Sequence, residues 1–259
     1  MIQRLPTICL ALVAILATCV PSLAAADSAD QDQKRLEQSI ARAVSFLRTR
    51  GQQPDGSFSG ETGPGITALV TCSLLRNGVP ASDPLVARSL VYLEGFVRPS
   101  GGIHQDGTLY RNYETCLSIL CFGEANSDGR YDDLIKKADA FIKGIQWDGG
   151  ENIGPGDPGF GGSGYGKHNR PDMSNTAFFI EALKASGNDS DSEAIQRALA
   201  FVSRCQNHES EHNTTSFPAK NPDGGFYYTV AAGGSSQAGG TKNGGLRSYA
   251  SMTYAGLKS

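Results

Sequence analysis

A short helical pattern recurs four times along this chain, and it constrains the fold more than any other feature. Arg42-Ala43-Val44-Ser45-Phe46-Leu47 is echoed by Arg88-Ser89-Leu90-Val91-Tyr92-Leu93, by Lys137-Ala138-Asp139-Ala140-Phe141-Ile142 and by Arg197-Ala198-Leu199-Ala200-Phe201-Val202. The aromatic residue returns at steps of 46, 49 and 60 residues. Apolar residues lie at helical spacing around each copy, as at Leu36, Ile40, Ala43, Val44 and Leu47, so each predicts an amphipathic helix with one wet face. A more evenly apolar segment follows each copy: Ile66-Thr67-Ala68-Leu69-Val70, Glu114-Thr115-Cys116-Leu117-Ser118, Asn175-Thr176-Ala177-Phe178-Phe179 and Ser248-Tyr249-Ala250-Ser251-Met252. These predict deeper helices, with stops at Asn77-Gly78, Gly123 and Ser186-Gly187. The expectation is an all-α array of helical hairpins with an outer and an inner layer.

Composition excludes some functions. Lys and Arg number 23 against 26 Asp and Glu, which argues against a basic nucleic-acid binder or a polybasic membrane-surface protein. Residues 1–26 read as an export signal: Arg4, then an apolar run from Ile8 to Val20, Pro21, and small residues Ala24-Ala25-Ala26. Thirteen apolar residues are too few to span a hydrocarbon core about 30 Å thick. Residues 27–259 are therefore expected as one domain without a membrane span, exported to a periplasmic, extracellular or cell-surface location. Leu16-Ala17-Thr18-Cys19 is a poor lipoprotein box because of Thr18. Cys72, Cys116, Cys121 and Cys205 remain after cleavage, each in or beside a helical pattern. Their pairing is open, and buried small hydrophobes is the favoured reading.

The loops lengthen along the chain. Trp147 to Arg170 holds nine glycines in 24 residues, and Gly224 to Gly245 eight in 22, with Phe226 to Val230 expected as a short strand. Loops this long are usually functional or disordered.

Gln53-Pro54-Asp55-Gly56-Ser57-Phe58 resembles the Q-x-x-D-G-S-W repeat of squalene and oxidosqualene cyclases, with Phe for Trp and Gln52 restoring the spacing. Gln146-Trp147-Asp148-Gly149-Gly150 and Asn221-Pro222-Asp223-Gly224-Gly225-Phe226 are degenerate copies, and Ser100-Gly101-Gly102-Ile103 is the weakest. Residues 36–259 thus resemble the prenyltransferase and squalene-cyclase repeat superfamily. That resemblance implies an α/α toroid, an inner helical barrel inside an outer one, whose central cavity takes isoprenoid or other small ligands. In such a motif Asp caps, Gly turns and the aromatic packs between hairpins, a structural role. Members carry five or more hairpins, so the four visible here lead to the expectation of an incomplete array.

The D-x-D-D acid of the cyclases is absent, so squalene cyclisation is not expected; Asp132-Asp133 reads as a helix start. Protein prenyltransferases hold zinc with an Asp-x-Cys pair and a His. Glu114-Thr115-Cys116 matches that spacing, with Asn175 at the place of the His, and His168 and Asp172 just upstream. The resemblance therefore suggests Glu114, Cys116 and His168 as a zinc set, weighed against a buried thiol and a helix-start carboxylate. His208-Glu209-Ser210-Glu211-His212 is a literal H-E-x-x-H, yet its polar flanks favour a solvated loop. Asn213-Thr214-Thr215 is a glycosylation sequon. Glu114, Asp172 and Tyr113 are the catalytic candidates. Tyr249, Arg247 and Glu181 are the ligand-binding candidates, Glu181 alternatively pairing with Lys184, and together with Tyr113, Glu114, His168 and Asp172 they are expected at an exposed cavity mouth. The partner is expected to be a small hydrophobic or glycan-like molecule. The alternative is a non-catalytic scaffold binding protein or cell-wall partners through its Gly-rich loops.

Overall fold

The computed structural model describes residues 23–166 and 170–259. The export-signal reading falls mainly on residues outside these, and so does His168. The described residues form helices α1 (Leu23–Phe46), α2 (Pro64–Arg76), α3 (Pro84–Glu94), α4 (Arg111–Glu124), α5 (Asp132–Lys143), α6 (Met173–Ala185), α7 (Glu193–Arg204), α8 (Phe217–Lys220) and α9 (Ala250–Lys258). Among them there is no β-strand, only isolated bridges, so the chain is all-α as expected. Phe226 to Val230 departs from the expected strand. Phe226 and Thr229 each make a single bridge, because Gly233 and Gly234, at φ of 85° and 80°, turn the chain at once. No helix among the described residues is long and apolar enough to cross a membrane.

The chain divides into two units at Ser45 and Phe46. The first is α1, a single helix braced by exposed pairs such as Lys34–Asp30 (2.7 Å). It forms where the first repeat copy predicts.

The second unit holds the remaining helices in two layers. α2, α4, α6 and α9 are successive neighbours, while α3 packs on α2, α5 on α4 and α7 on α6. The inner helices run in one direction. Gly65 near the start of α2 lies against Glu114 and Leu117, while Arg76 at its end pairs with Glu124 at the end of α4 (2.7 Å). Tyr113 likewise meets Phe178 near the starts of α4 and α6, and Glu181 meets Lys258 toward the ends of α6 and α9 (2.7 Å). Capping sets where several helices begin. Asp83 accepts the Leu85 N–H (2.9 Å) ahead of Pro84, and Asp172 accepts the Asn175 N–H (2.9 Å). Two stops fall as predicted, with Gly78 and Gly187 at φ of 82° and 83°, but α4 continues through Gly123 to Glu124. α9 starts at Ala250, leaving Ser248 and Tyr249 outside the helix.

The same joint recurs ahead of each inner helix. The N–H groups of Gly56, Gly101, Gly161 and Gly224 donate to the carbonyls of Gln53, Arg98, Trp147 and Asn207 (3.0, 2.9, 2.7 and 3.1 Å). A threonine of the inner helix then fixes the residue two places after each glycine. Thr67, Thr115, Thr176 and Thr253 accept the N–H groups of Phe58, Ile103, Ser163 and Phe226 (2.9, 3.0, 3.0 and 3.2 Å). These residues would otherwise carry orphaned buried donors. The third joint corrects the sequence register: its glycine is Gly161, not Gly149, with the Gly-rich segment inserted between the two halves of the turn. Asp148 instead caps the short helix Gly149–Glu151.

Candidate functional site

The threonine register fixes which face of each inner helix points away from the outer layer. Two positions beyond the threonine stand Leu69, Leu117, Phe178 and Ala255; five beyond stand Cys72, Leu120, Glu181 and Lys258. All eight line one groove of about 330 Å³. Successive helical turns on α2 add Ser73 and Arg76, and Met252 and Tyr254 close the α9 side. The floor is apolar, and two ion pairs, Arg76–Glu124 and Lys258–Glu181, stand toward the C-terminal ends of the helices. Its volume and its few polar groups match a small-ligand site.

Glu181 alone of the three ligand-binding candidates lines this groove, and its partner is Lys258 rather than Lys184, which bonds the Ser259 carbonyl (2.9 Å). Arg247 is spent on loop backbone, its Nε donating to the Gly240 carbonyl (3.1 Å). Tyr249 lies at the start of α9, where burial raises its phenol, with the Asp172 charge adding to the effect.

The catalytic candidates fall into two settings at the starts of the inner helices. Tyr113 joins an aromatic cluster with Tyr165 and Phe178, at ring separations of 6.1 and 5.4 Å. Asp172 is buried and capped onto α6: its Oδ1 accepts the Asn175 N–H and its Oδ2 accepts Asn175 Nδ2 (2.8 Å). Burial pushes its carboxyl up, opposed by those bonds, by the Tyr228 hydroxyl and by Arg170. Tyr228 stands between Asp172 and Tyr165, and burial raises its phenol strongly, reinforced by the Asp172 charge. Asp172, Tyr228, Tyr165 and Tyr113 therefore form one line ending at Phe178 in the groove wall. Tyr228 and Tyr165 escaped sequence reasoning because each sits in an irregular Gly-rich loop with no helical register to place it.

Glu114 lies apart, between α4 and the start of α2. Its Oε2 accepts the Gln105 N–H (2.8 Å) and its Oε1 the Thr108 hydroxyl (3.3 Å). A Cβ on Gly63 would come within 2.9 Å of Oε1, so that glycine permits the approach. Burial raises this carboxyl too, with the Gln105 and Thr108 bonds opposing. The expected exposed mouth is thus corrected at Glu114 and Asp172, which are 3% and 1% exposed because each is folded beneath a helix start.

Glu114 and Cys116, the two described members of the suggested zinc set, turn to different partners. Two residues apart on a helix they face different sides, and the Cys116 thiol, pushed up by complete burial, is turned to Asn112 Oδ1 (3.5 Å). Among the described residues no three His, Cys, Asp or Glu side chains converge on one point. Among the described residues the four cysteines, Cys72, Cys116, Cys121 and Cys205, are buried and free. Residues 208–212 are not helical, so the two histidines do not share a helix face. Asn213 of the sequon is buried, its Nδ2 donating to the Gln206 and His208 carbonyls (2.7 and 3.1 Å), so the folded chain does not present it for glycosylation.

No family model matches this chain, and no curated protein matches it.

Proposed function

We propose that the chain is an exported protein of the prenyltransferase and squalene-cyclase repeat type. In this reading its hairpins take the α/α-toroid arrangement, and it binds a small apolar ligand, isoprenoid in character, along the inner helices. The observation that carries this is the groove itself. Four helices contribute the same two register positions to one groove with an apolar floor, and its volume falls in the range used for small ligands. Burial of apolar ligand surface there supplies the driving force. The groups closest to a ligand at the Phe178 end are Tyr113 and, through Tyr165 and Tyr228, Asp172; any transfer or cyclisation chemistry is assigned to them. The groove takes no metal in this proposal.

Titration calorimetry with farnesol, an isoprenoid alcohol, tests it. Saturable one-to-one binding is expected for the wild type. A loss of at least tenfold is expected for Leu69→Arg, a substitution at a half-exposed position that fills the groove without disturbing the core. Absence of saturable binding to the wild type, or unchanged affinity in a folded Leu69→Arg variant, overturns the proposal.

A further inference from the structure

Two of the buried cysteines sit at matching heights on neighbouring inner helices. α2 and α4 make the most extensive helix contact among the described residues. Near their starts Gly65 lies against Glu114, where a Cβ on the glycine would fall 3.5 Å from Glu114 Cγ and 3.8 Å from Leu117 Cδ1. Both helices run in the same direction from that contact. Seven residues make about two helical turns, so a step of seven returns each helix to the face it left. Seven residues beyond Gly65 is Cys72, and seven beyond Glu114 is Cys121. The two cysteines therefore oppose each other across the α2–α4 seam.

The seam keeps its register past them. Arg76, four residues beyond Cys72, pairs with Glu124, three beyond Cys121 (2.7 Å). Burial raises the Cys121 thiol most, and a charge on Cys72 adds to the rise, as proximity requires. The other two cysteines have no such relation. Cys116 is turned to Asn112 Oδ1 (3.5 Å), and Cys205 ends α7 in the outer layer.

Access separates the two members of the pair. Cys72 lines the groove and is 5% exposed, whereas Cys116, Cys121 and Cys205 are each 0% exposed. Burial raises the Cys72 thiol, joined by the Glu124 and Glu181 charges, while Arg76, one turn on in the same groove, opposes the rise. The thiolate is the attacking form of cysteine, and a neighbouring cation favours it.

We propose that Cys72 and Cys121 form a dithiol site that low-molecular-weight disulfides oxidise from the groove. The Cys72 thiolate attacks one sulfur of the reagent, breaks its S–S bond and expels a thiolate, which takes up the proton that Cys72 released. The Cys121 thiolate then attacks Cys72 Sγ, breaks the mixed disulfide and expels the second thiolate, which takes up the Cys121 proton. The protein loses two protons and two electrons, and the reagent leaves as two thiols. Access fixes the order, because Cys121 lies behind Cys72 and meets the reagent only through it. The product is a reducible staple between α2 and α4. It does not depend on which ligand the groove takes.

Incubating the folded, reduced chain with bis(2-hydroxyethyl) disulfide tests the site. The reaction is quenched in acid, the chain is unfolded and alkylated, and its peptides are mapped without reduction. The Cys72 and Cys121 peptides are expected joined, lighter by two hydrogens than their sum, with Cys116 and Cys205 alkylated as free thiols. In Cys121→Ala the reaction stops at the mixed disulfide, leaving one hydroxyethylthio group on Cys72. In Cys72→Ala, Cys121 stays a thiol. Circular dichroism checks the folding of both variants, and the wild-type map needs neither. A wild-type chain in which Cys72 and Cys121 are not joined overturns the proposal, as does pairing of either with Cys116 or Cys205. A folded Cys121→Ala variant left unmodified at Cys72 overturns it equally, and so does a folded Cys72→Ala variant whose Cys121 takes up the reagent.

Discussion

The third and fourth joints of the array share their internal bonding and differ in what stands behind them. Gly161 and Gly224 both close on a carbonyl across a long insertion, and Thr176 and Thr253 both latch the residue two places on. Gly161 is wedged against α7, while Gly224 faces open space among the described residues. A repeat therefore separates what a joint needs for its own geometry from what it needs to bind its neighbour. Among the described residues, the glycine in the third joint serves both ends and the glycine in the fourth serves the first.

That contrast is most easily broken at the glycines. Gly161→Ala drives a Cβ into the Arg197 backbone, which cannot swing aside as a side chain would, and is expected to cost on the order of 3–5 kcal/mol. Gly224→Ala meets only the left-handed backbone at φ 72° and is expected to cost about 1 kcal/mol. Urea unfolding of both variants measures the difference, and equal losses would show that the wedge contributes nothing.

The latches should give a smaller contrast. Thr176→Val keeps the shape but leaves the buried Ser163 N–H without a partner, an expected loss of about 1–3 kcal/mol. Thr253→Val strands the Phe226 N–H at the part-buried end of the array, with an expected loss below about 1 kcal/mol.

The smallest effect is in pH dependence, where the two ends of the array carry opposite signs. Asp223 in the fourth joint is pushed up by burial, but bonds from Asn207, Ser248, Gly225 and Asn221 outweigh this and hold it below the ordinary carboxylate range. Its stabilising contribution is present above the unfolded value and is lost as pH falls through the depressed one. Glu114, raised by burial, contributes fully below its unfolded value and loses that contribution as pH rises through the raised one. Asp223→Asn should thus lose stability at neutral pH and approach the wild type in acid. Glu114→Gln should gain on the wild type as pH rises from the ordinary carboxylate range toward neutrality. Thermal melts across that window check both signs, and parallel curves for either variant would remove its group from the account.

Within the second unit, helical periodicity alone determined the helices and the deeper burial of α2, α4 and α6. A helix in a layered array reports its buried face in its own sequence, as α4 does with an unbroken buried run from Glu114 to Phe122. The recurrence of Arg88, Lys137 and Arg197 also marked the three helices that pack on α2, α4 and α6. What sequence could not supply was register across the insertions. Gly149 and Gly161 look alike locally, and only the hydrogen bonds from Trp147 across fourteen residues decide which one turns the chain. Nor could it supply the direction of individual side chains. Glu114 and Cys116 suggested a pair because they match the Asp-x-Cys spacing of the protein prenyltransferases, and only the structure shows one bonded to Gln105 and the other turned to Asn112. The line of Asp172, Tyr228, Tyr165 and Tyr113, like the groove beside it, arises where separate helix starts and loops meet. Such convergence follows from packing between elements, which no single stretch of sequence encodes.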